Sequence, residues 1–448
     1  MLKIMQSGYP GAAREAFCRE IGLINNRGDK SILIVPEQQT VMAEGYMARV
    51  LPPSSALSFE VTNFTRLANS TFRSLGGLVG EYCDNAKKSL IMWRALTELA
   101  PTLAMTRGRG EVGEGMVESA LAAVGEMQSL GISPSELSAV CLDEEIQSDK
   151  RLYSKLCDLS SIYSLYKDIL NERYADTGDD ADVMIKKLRE NPDFLSDTEI
   201  FVEGFTSFTE PQYRLLSLLG ERTTVSVALM LPKGREDAFE FSEILDCRAK
   251  LSSYARKSGV DVRLVREEGH GPKSDESLAE ISHYLWSAIT PNDNITLQNS
   301  NILRIFEAKT PYEECAFVCE DIRRRVMEGD SYSDFAIVSR QAENYLGILD
   351  CALDTAGIPS FTSYRRDVQE LEAVKLIYTA YAVLRGFSRG DVISYAKCAL
   401  SGVSREECDE LEMYVNKWQI NGRRFTDGEP WNMNPAGYTT HRDEGTDE

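Results

Sequence analysis

The sequence predicts an α/β fold built on a parallel sheet with helical segments inserted into it. Short continuous apolar runs closed by proline or glycine, such as residues 31–35 before Pro36, read as strands buried on both faces. Over the first 80 residues such runs alternate with helical periodicity, an order that argues for parallel strands joined by crossover helices. Between about residues 85 and 190 strand signals vanish and then return, so a helical block is predicted inside the α/β domain.

Residues 2–5 predict the first strand and 12–24 its helix; 31–35 and 38–50, then 57–61 and 64–75, repeat the unit. In the helical block Leu152, Leu156, Leu159, Ile162, Tyr163, Tyr166, Ile169 and Leu170 form one apolar stripe that helix packing explains. Strands return at 199–202 and 224–230, with a further one at 260–265, and the polar stretch 270–277 reads as a surface loop. A second α/β pattern follows: strand 302–306, helix 312–327, strand 335–338, helix 345–356 stopped by Gly357, and a strand-like 358–363. An apolar helix covers 374–384, and helical periodicity runs on to about Trp418. Residues 421–448, rich in Gly, Pro, Asn, Asp and Thr, are expected to be disordered. The implied domains are 1–84 with 195–300, a helical insertion 85–194, a second α/β domain 301–385, and a second helical insertion from 386 to 448 with its tail.

At 448 residues and 43% apolar content the chain has ample material for several cores. No run of about 18 apolar residues is present, so no membrane span is expected, and the polar stretch 8–20 does not read as a signal peptide. Ten scattered cysteines form no Cys-x-x-Cys and fit a reducing cytoplasm. Cys315 and Cys319, four apart on a predicted helix, read as two buried thiols. A net charge of −21 argues against a chain-wide electrostatic grip on nucleic acid, though not against a local basic groove.

Residues 8–15 carry the most pointed signal. A phosphate-binding loop, G-x-x-x-x-G-K-[ST] between strand and helix, aims backbone N–H groups and a lysine at phosphates and a hydroxyl at Mg²⁺. Gly8 holds the first glycine position and Gly11 lies within the loop. Ala13 replaces the second glycine, Arg14 the lysine and Glu15 the Ser/Thr. Alone, the octet reads equally as an ordinary βα turn. A nucleotide-driven motor also needs an acidic pair after another strand, an Asp for Mg²⁺ and a Glu for the attacking water. Glu203 and Gly204 stand there. Both motifs are eroded at the ends of two strands, which predicts a degenerate ATPase domain with ATP binding in doubt.

Four segments then carry a family resemblance: 34–40 (Ile-Val-Pro-Glu-Gln-Gln-Thr), 61–68 (Val-Thr-Asn-Phe-Thr-Arg-Leu-Ala), 202–209 (Val-Glu-Gly-Phe-Thr-Ser-Phe-Thr), and 334–340 with Tyr345 and 357–359. In order and spacing the chain resembles the N-terminal, helicase-like part of the AddB/RexB family, the B subunit of bacterial ATP-dependent helicase–nucleases. The resemblance implies superfamily 1 helicase-like, RecA-like domains with all-helical insertions, the second one cut short. It also implies a motor partner, the AddA-like subunit, and a role in scanning single-stranded DNA for a Chi-like sequence during recombinational repair. The family's Mg²⁺-dependent nuclease domain and its 4Fe–4S cluster are implied to lie beyond Glu448, leaving no cofactor or metal site here.

Candidate DNA-reading residues combine aromatic faces with amides and cations. Gln38, Thr40, Phe64 and Arg66 follow two predicted parallel strands, and Phe205 and Phe208 follow a third. Ligands bind at such C-terminal strand ends in open α/β sheets. Helix capping by Gln38 and Thr40, core packing of Phe64 and a surface ion pair of Arg66 are the competing roles. Arg365 and Arg366 are further phosphate candidates, preferred to the run 323–325 on a helix. The functional reading is a non-catalytic DNA-reading module. An active helicase and a structural scaffold for the motor subunit are the alternatives.

Overall fold

The computed structural model describes residues 1–8, 11–76, 81–106, 112–172, 174–176, 178, 180–234, 238–267, 278, 281, 303–362 and 368–434. The chain divides into two compact units, Met1–Arg304 and Ile305–Glu448.

The first unit is a RecA-like α/β fold around a six-stranded, all-parallel sheet. Its strands are β1 (Leu2–Ser7), β2 (Lys30–Ile34), β3 (Phe59–Thr62), β6 (Thr198–Val202), β7 (Val225–Met230) and β8 (Val262–Glu267), in the order β3-β2-β6-β7-β1-β8. Alternate side chains of each strand enter opposite cores. Met5, Leu33, Val61, Phe201 and Ala228 pack under α1 (Ala12–Asn26) and α2 (Thr40–Val50), where Phe17, Ile21, Ala43 and Met47 complete one layer. Ile4, Ile34, Val202, Val227 and Leu229 face the other way, onto α3 (Phe64–Leu75), α10 (Glu210–Arg222) and α11 (Ser242–Lys257). This three-layer arrangement buries both faces of the inner strands β2, β6 and β7, which is why they are the most apolar runs, while the edge strand β8 carries Arg263, Arg266 and Glu267.

Between α3 and β6 the chain leaves the sheet through β4 (Glu81–Tyr82) and returns through β5 (Tyr174–Ala175), which pair in parallel. They bracket a helical block of α4 (Asn85–Leu99), α5 (Glu114–Ser129), α6 (Pro134–Val140), α7 (Glu144–Ser148) and α8 (Lys150–Asn171). The stripe residues Ile162, Tyr163, Tyr166, Ile169 and Leu170 of α8 form this block's core with Met92, Leu96 and Val124. The sequence assigns residues up to 194 to the insertion, but α9 (Asp180–Glu190) sends Met184, Ile185 and Leu188 into the sheet's own core. Periodicity identifies a helix without saying which core its apolar face enters.

One buried charge anchors the block. The Asp176 side chain has no exposed surface and pairs with Lys88 Nζ at 2.6 Å and Lys167 Nζ at 3.3 Å. Gln128 Nε2 at 2.9 Å and the Gly178 amide at 3.0 Å complete its partners. Burial pushes the carboxyl up, but these hydrogen bonds and the Lys167 charge outweigh it and hold the group well below the usual carboxylate range.

In the second unit α12 (Pro311–Glu328) and α13 (Leu349–Ala356) pack through Cys319, Ile322, Leu353 and Ile358. Cys315 is buried as well, and burial pushes both thiols up. The helices α14 (Glu372–Gly386), α15 (Arg389–Ala396) and α16 (Arg405–Lys417) come next. The strands expected at 302–306 and 335–338 are absent among the described residues: 303–306 and 335–338 make no ladder. Ile305 and Val338 are each 91% exposed. A strand needs a neighbour for its backbone groups, and among the described residues none is alongside.

The expectation of disorder from residue 421 onward also requires correction. Residues 421–434 are folded onto α16, with Trp431 stacked on Tyr414 at 5.9 Å and edge-on to Phe425 at 5.5 Å. Trp418 and Trp431 donate their indole N–H groups to the carbonyls of Asn434 and Arg424. Four aromatics, Tyr414, Trp418, Phe425 and Trp431, supply here what composition averages away. Residues 435–448 and the predicted loop 270–277 lie outside the described residues.

The Asp176 network yields a stability test. Asp176→Asn should destabilise the chain by about 3–5 kcal/mol at neutral pH in urea denaturation, because it strands two ammonium groups. The folded carboxyl lies below its unfolded value, so its contribution is complete above about pH 4 and drains as pH falls further. The gap between parent and variant should therefore narrow in acid.

Candidate nucleic-acid interface and a self-paired nucleotide site

All the motif residues of the first unit gather at the C-terminal edge of the sheet. Gly8 directly follows β1, and Gly11 caps α1 with φ of 85°, a left-handed conformation suited to glycine. Helix α1 is already formed at Ala12 and Ala13. Glu15 therefore sits in its first turn, where the aligned peptide dipoles favour a carboxylate and where a phosphate would otherwise lie.

Arg14 and Glu203 are paired with each other. Nη2 and Nε of Arg14 each lie 2.6 Å from Glu203 Oε1, and the Glu203 side chain is only 6% exposed. The Arg14 guanidinium also lies 5.5 Å from the centre of the Tyr46 ring. Burial pushes the Glu203 carboxyl up, and Arg14, which faces it and donates to it, opposes the shift. Burial, with the Glu203 charge nearby, pushes the Cys18 thiol beneath up to about 11. The positions that would hold phosphate and metal are thus filled by an internal cation and anion. With Arg14 and Glu203 engaged with each other, Ala13, Arg14, Glu15, Glu203 and Gly204 do not fit a Mg²⁺–nucleotide.

Gly204 has a second reason for being glycine. Its φ is 83°, and a Cβ there would lie 2.7 Å from Gln39 Oε1 and 3.0 Å from Pro36 Cδ. A glutamate at this position would be strained and would collide with the turn after β2.

Beyond Gly204 the chain forms a well-tied loop. Phe205 meets Phe64 at 5.5 Å, Phe208 meets Phe64 at 6.1 Å, and the two loop rings lie 5.1 Å apart. Phe208 also abuts Tyr213 at 5.5 Å. Thr206 and Ser207 hydroxyls bond Glu243 of α11 at 3.3 and 2.9 Å, and Thr209 with Gln212 forms the capping box of α10. All three phenylalanines are half-buried, packed on the core yet open at the sheet edge.

The other candidates separate. Gln38 is exposed on the turn after β2. Thr40 is only 2% exposed and its hydroxyl bonds the Glu37 carbonyl, so it is a helix-start residue with no surface for a ligand. Arg66 is exposed, 3.7 Å from the equally exposed Glu44, a pair worth little. Asn63, which sequence reasoning passed over, is buried and caps α3 through the Arg66 amide at 2.8 Å, fixing where Phe64 and Arg66 start. Its place just before a helical run was the available signal. Arg365 and Arg366 lie outside the described residues. In the run 323–325, Arg324 is bound by Asp321 and Glu328, at 2.6 and 2.7 Å. Among the described residues no group of three or more His, Cys, Asp or Glu comes together as a metal site, and no helix is long and apolar enough to cross a membrane.

Fold and site together define a RecA-like module in which the Arg14–Glu203 ion pair ties the first turn of α1 to the end of β6. A family model described as "ADDB, N-terminal" matches residues 16–283, and the chain belongs to the AddB family. It is similar to proteins named as the B subunit of an ATP-dependent helicase/deoxyribonuclease. The relative from Acetivibrio thermocellus is 27% identical over 441 residues, covering 96% of this chain and 38% of that protein. The one from Caldanaerobacter subterraneus subsp. tengcongensis is 27% identical over 428 residues, 93% and 36%. The one from Clostridium novyi is 25% identical over 437 residues, 95% and 38%. The chain spans a little over a third of the length of these relatives.

Substitution at Gly204 tests the local geometry. Gly204→Ala should cost about 1–3 kcal/mol in thermal or urea denaturation. Gln39→Ala in that background should recover only part, since the positive φ and Pro36 remain.

Proposed function

We propose that this chain is the helicase-like DNA-reading module of the B subunit of an AddAB-type helicase–nuclease, and that it does not itself turn over ATP. The observation that carries the reading is the Arg14–Glu203 ion pair, which occupies both nucleotide-handling positions while leaving an aromatic edge open beside it. Single-stranded DNA runs across the C-terminal strand ends. Bases stack on the exposed edges of Phe64, Phe205 and Phe208, and Gln38 and Arg66 contact base edges or phosphates. The module scans for a Chi-like sequence in recombinational repair of double-strand breaks, in the cytoplasm, while an AddA-like partner supplies the motor. Mg²⁺ and 4Fe–4S chemistry belong to a nuclease domain whose residues are not among those of this chain.

The purified chain should show no magnesium-dependent, DNA-stimulated phosphate release. Turnover above background would sink the non-catalytic reading in favour of an active helicase. The triple change Ala13→Gly, Arg14→Lys and Glu15→Thr should still give none, because Gly204 leaves the attacking water without a carboxylate.

DNA contact is tested with oligonucleotides, alone and with the motor subunit. Phe205→Ala and Phe208→Ala should each weaken single-strand binding by about 1–3 kcal/mol. Arg66→Ala should either relax sequence preference or lower the salt slope by about one. Thermal denaturation of each variant separates lost stacking from lost packing. If Gln38, Phe64, Arg66, Phe205 and Phe208 variants all remain folded and bind like the parent, the chain is a scaffold.

A further inference from the structure

The loop carrying Phe205 and Phe208 leaves β6 directly after Glu203, so whatever fixes Glu203 aims the loop. The Glu203 amide donates to the Ile34 carbonyl at 3.1 Å, which sets the backbone against β2. Its side chain is held from the opposite direction by Arg14, on the first turn of the helix after β1, although β7 lies between β1 and β6 in the sheet. Gly204 then turns with a positive φ in close contact with Gln39 and Pro36. The next residue, Phe205, meets Phe64 after β3. One continuous set of contacts therefore joins the ends of β1, β2, β6 and β3. In a working phosphate loop a Mg²⁺–nucleotide bridges the cation and carboxylate positions, and its presence or absence can move the segment beyond the carboxylate.

We propose that Arg14 is a positioning residue: by pairing with Glu203 it holds the 204–209 loop in its packed conformation against Phe64, with no ligand needed to order it. The proposal deepens the DNA-reading function and rests on it for its biological use, but the loop's order can be measured without DNA. Around Glu203 the facing ionisable groups are Arg14, Glu15 and Cys18 of α1 and Tyr46 of α2. Arg14 is the cation among them.

Hydrogen exchange of the full chain tests this. Arg14→Ala should speed exchange in peptides covering 204–209 by about tenfold or more, with peptides of β7 unchanged. Arg14→Lys, which keeps the charge but loses the two-nitrogen contact and the stacking on Tyr46, should restore the loop's protection only in part, to a level between Arg14→Ala and the parent. Lys3→Ala, which removes the separate Lys3–Glu20 pair between β1 and α1, should leave the loop as it is. Adding Mg²⁺–ATP to the parent should not alter loop exchange. Unchanged loop exchange in Arg14→Ala overturns the proposal. So does acceleration spread equally over β7, or a loop that tightens on Mg²⁺–ATP. Single-strand affinity measured on the same proteins should fall about five- to tenfold for Arg14→Ala and recover in part with Arg14→Lys. A loosened loop with unaltered affinity supports the positioning role and refutes the DNA-reading one.

Discussion

A carboxylate carried to the end of a buried parallel strand must be paired, hydrated or protonated, and Glu203 meets that requirement through Arg14. Much else at the sheet edge depends on this one pair. It ties the first turn of α1 to the end of β6 across the intervening strand β7. It fills the space that phosphate and metal would need. It also leaves the following glycine seated against Gln39 and Pro36, from which the aromatic loop departs.

The helical insertion handles a buried charge in a different way. Asp176 is surrounded by four donors from three elements and the following turn, and it ends below the ordinary carboxylate range. Glu203 has one arginine, which does not fully offset its burial, and its carboxyl is shifted upward. The difference lies in the number of hydrogen bonds to the charged form against a comparable loss of solvent. The first arrangement pins a helical block whose own core is otherwise apolar; the second leaves a single contact on which a loop depends.

Much of the first unit was legible in the sequence because strands buried on both faces are unmistakable as apolar runs. Residues 31–35 and 224–230 each lie within two residues of a strand's bounds. The erosion of two motifs was also legible, since it depends on residue identity alone. That Arg14 and Glu203 meet was not, because 189 residues separate them and only the sheet order brings their strands together. Thr40 looked like a ligand-facing residue because a helix-start hydroxyl and a binding hydroxyl have the same local signature. Residues 302–306 and 335–338 have strand composition, but pairing depends on a neighbour that composition does not supply. Trp431 escaped notice because a single ring against Tyr414 orders a turn without any periodicity.

The order of strands also bears on how the chain is made. Leu2 pairs with Val225 on one side and Val262 on the other, so β1 waits for partners synthesised 223 or more residues later. At about 5–20 residues per second the wait is on the order of ten to some tens of seconds. Throughout it, Leu2, Ile4 and Met5 are an unladdered apolar edge of the kind that recruits foreign strands. The pair β2–β3 needs only residues up to Thr62 and can form early. The nascent chain thus offers a small sheet first and seats β1 late: β7 covers one edge of β1, and the emergence of β8 from the ribosome is the event that covers the other.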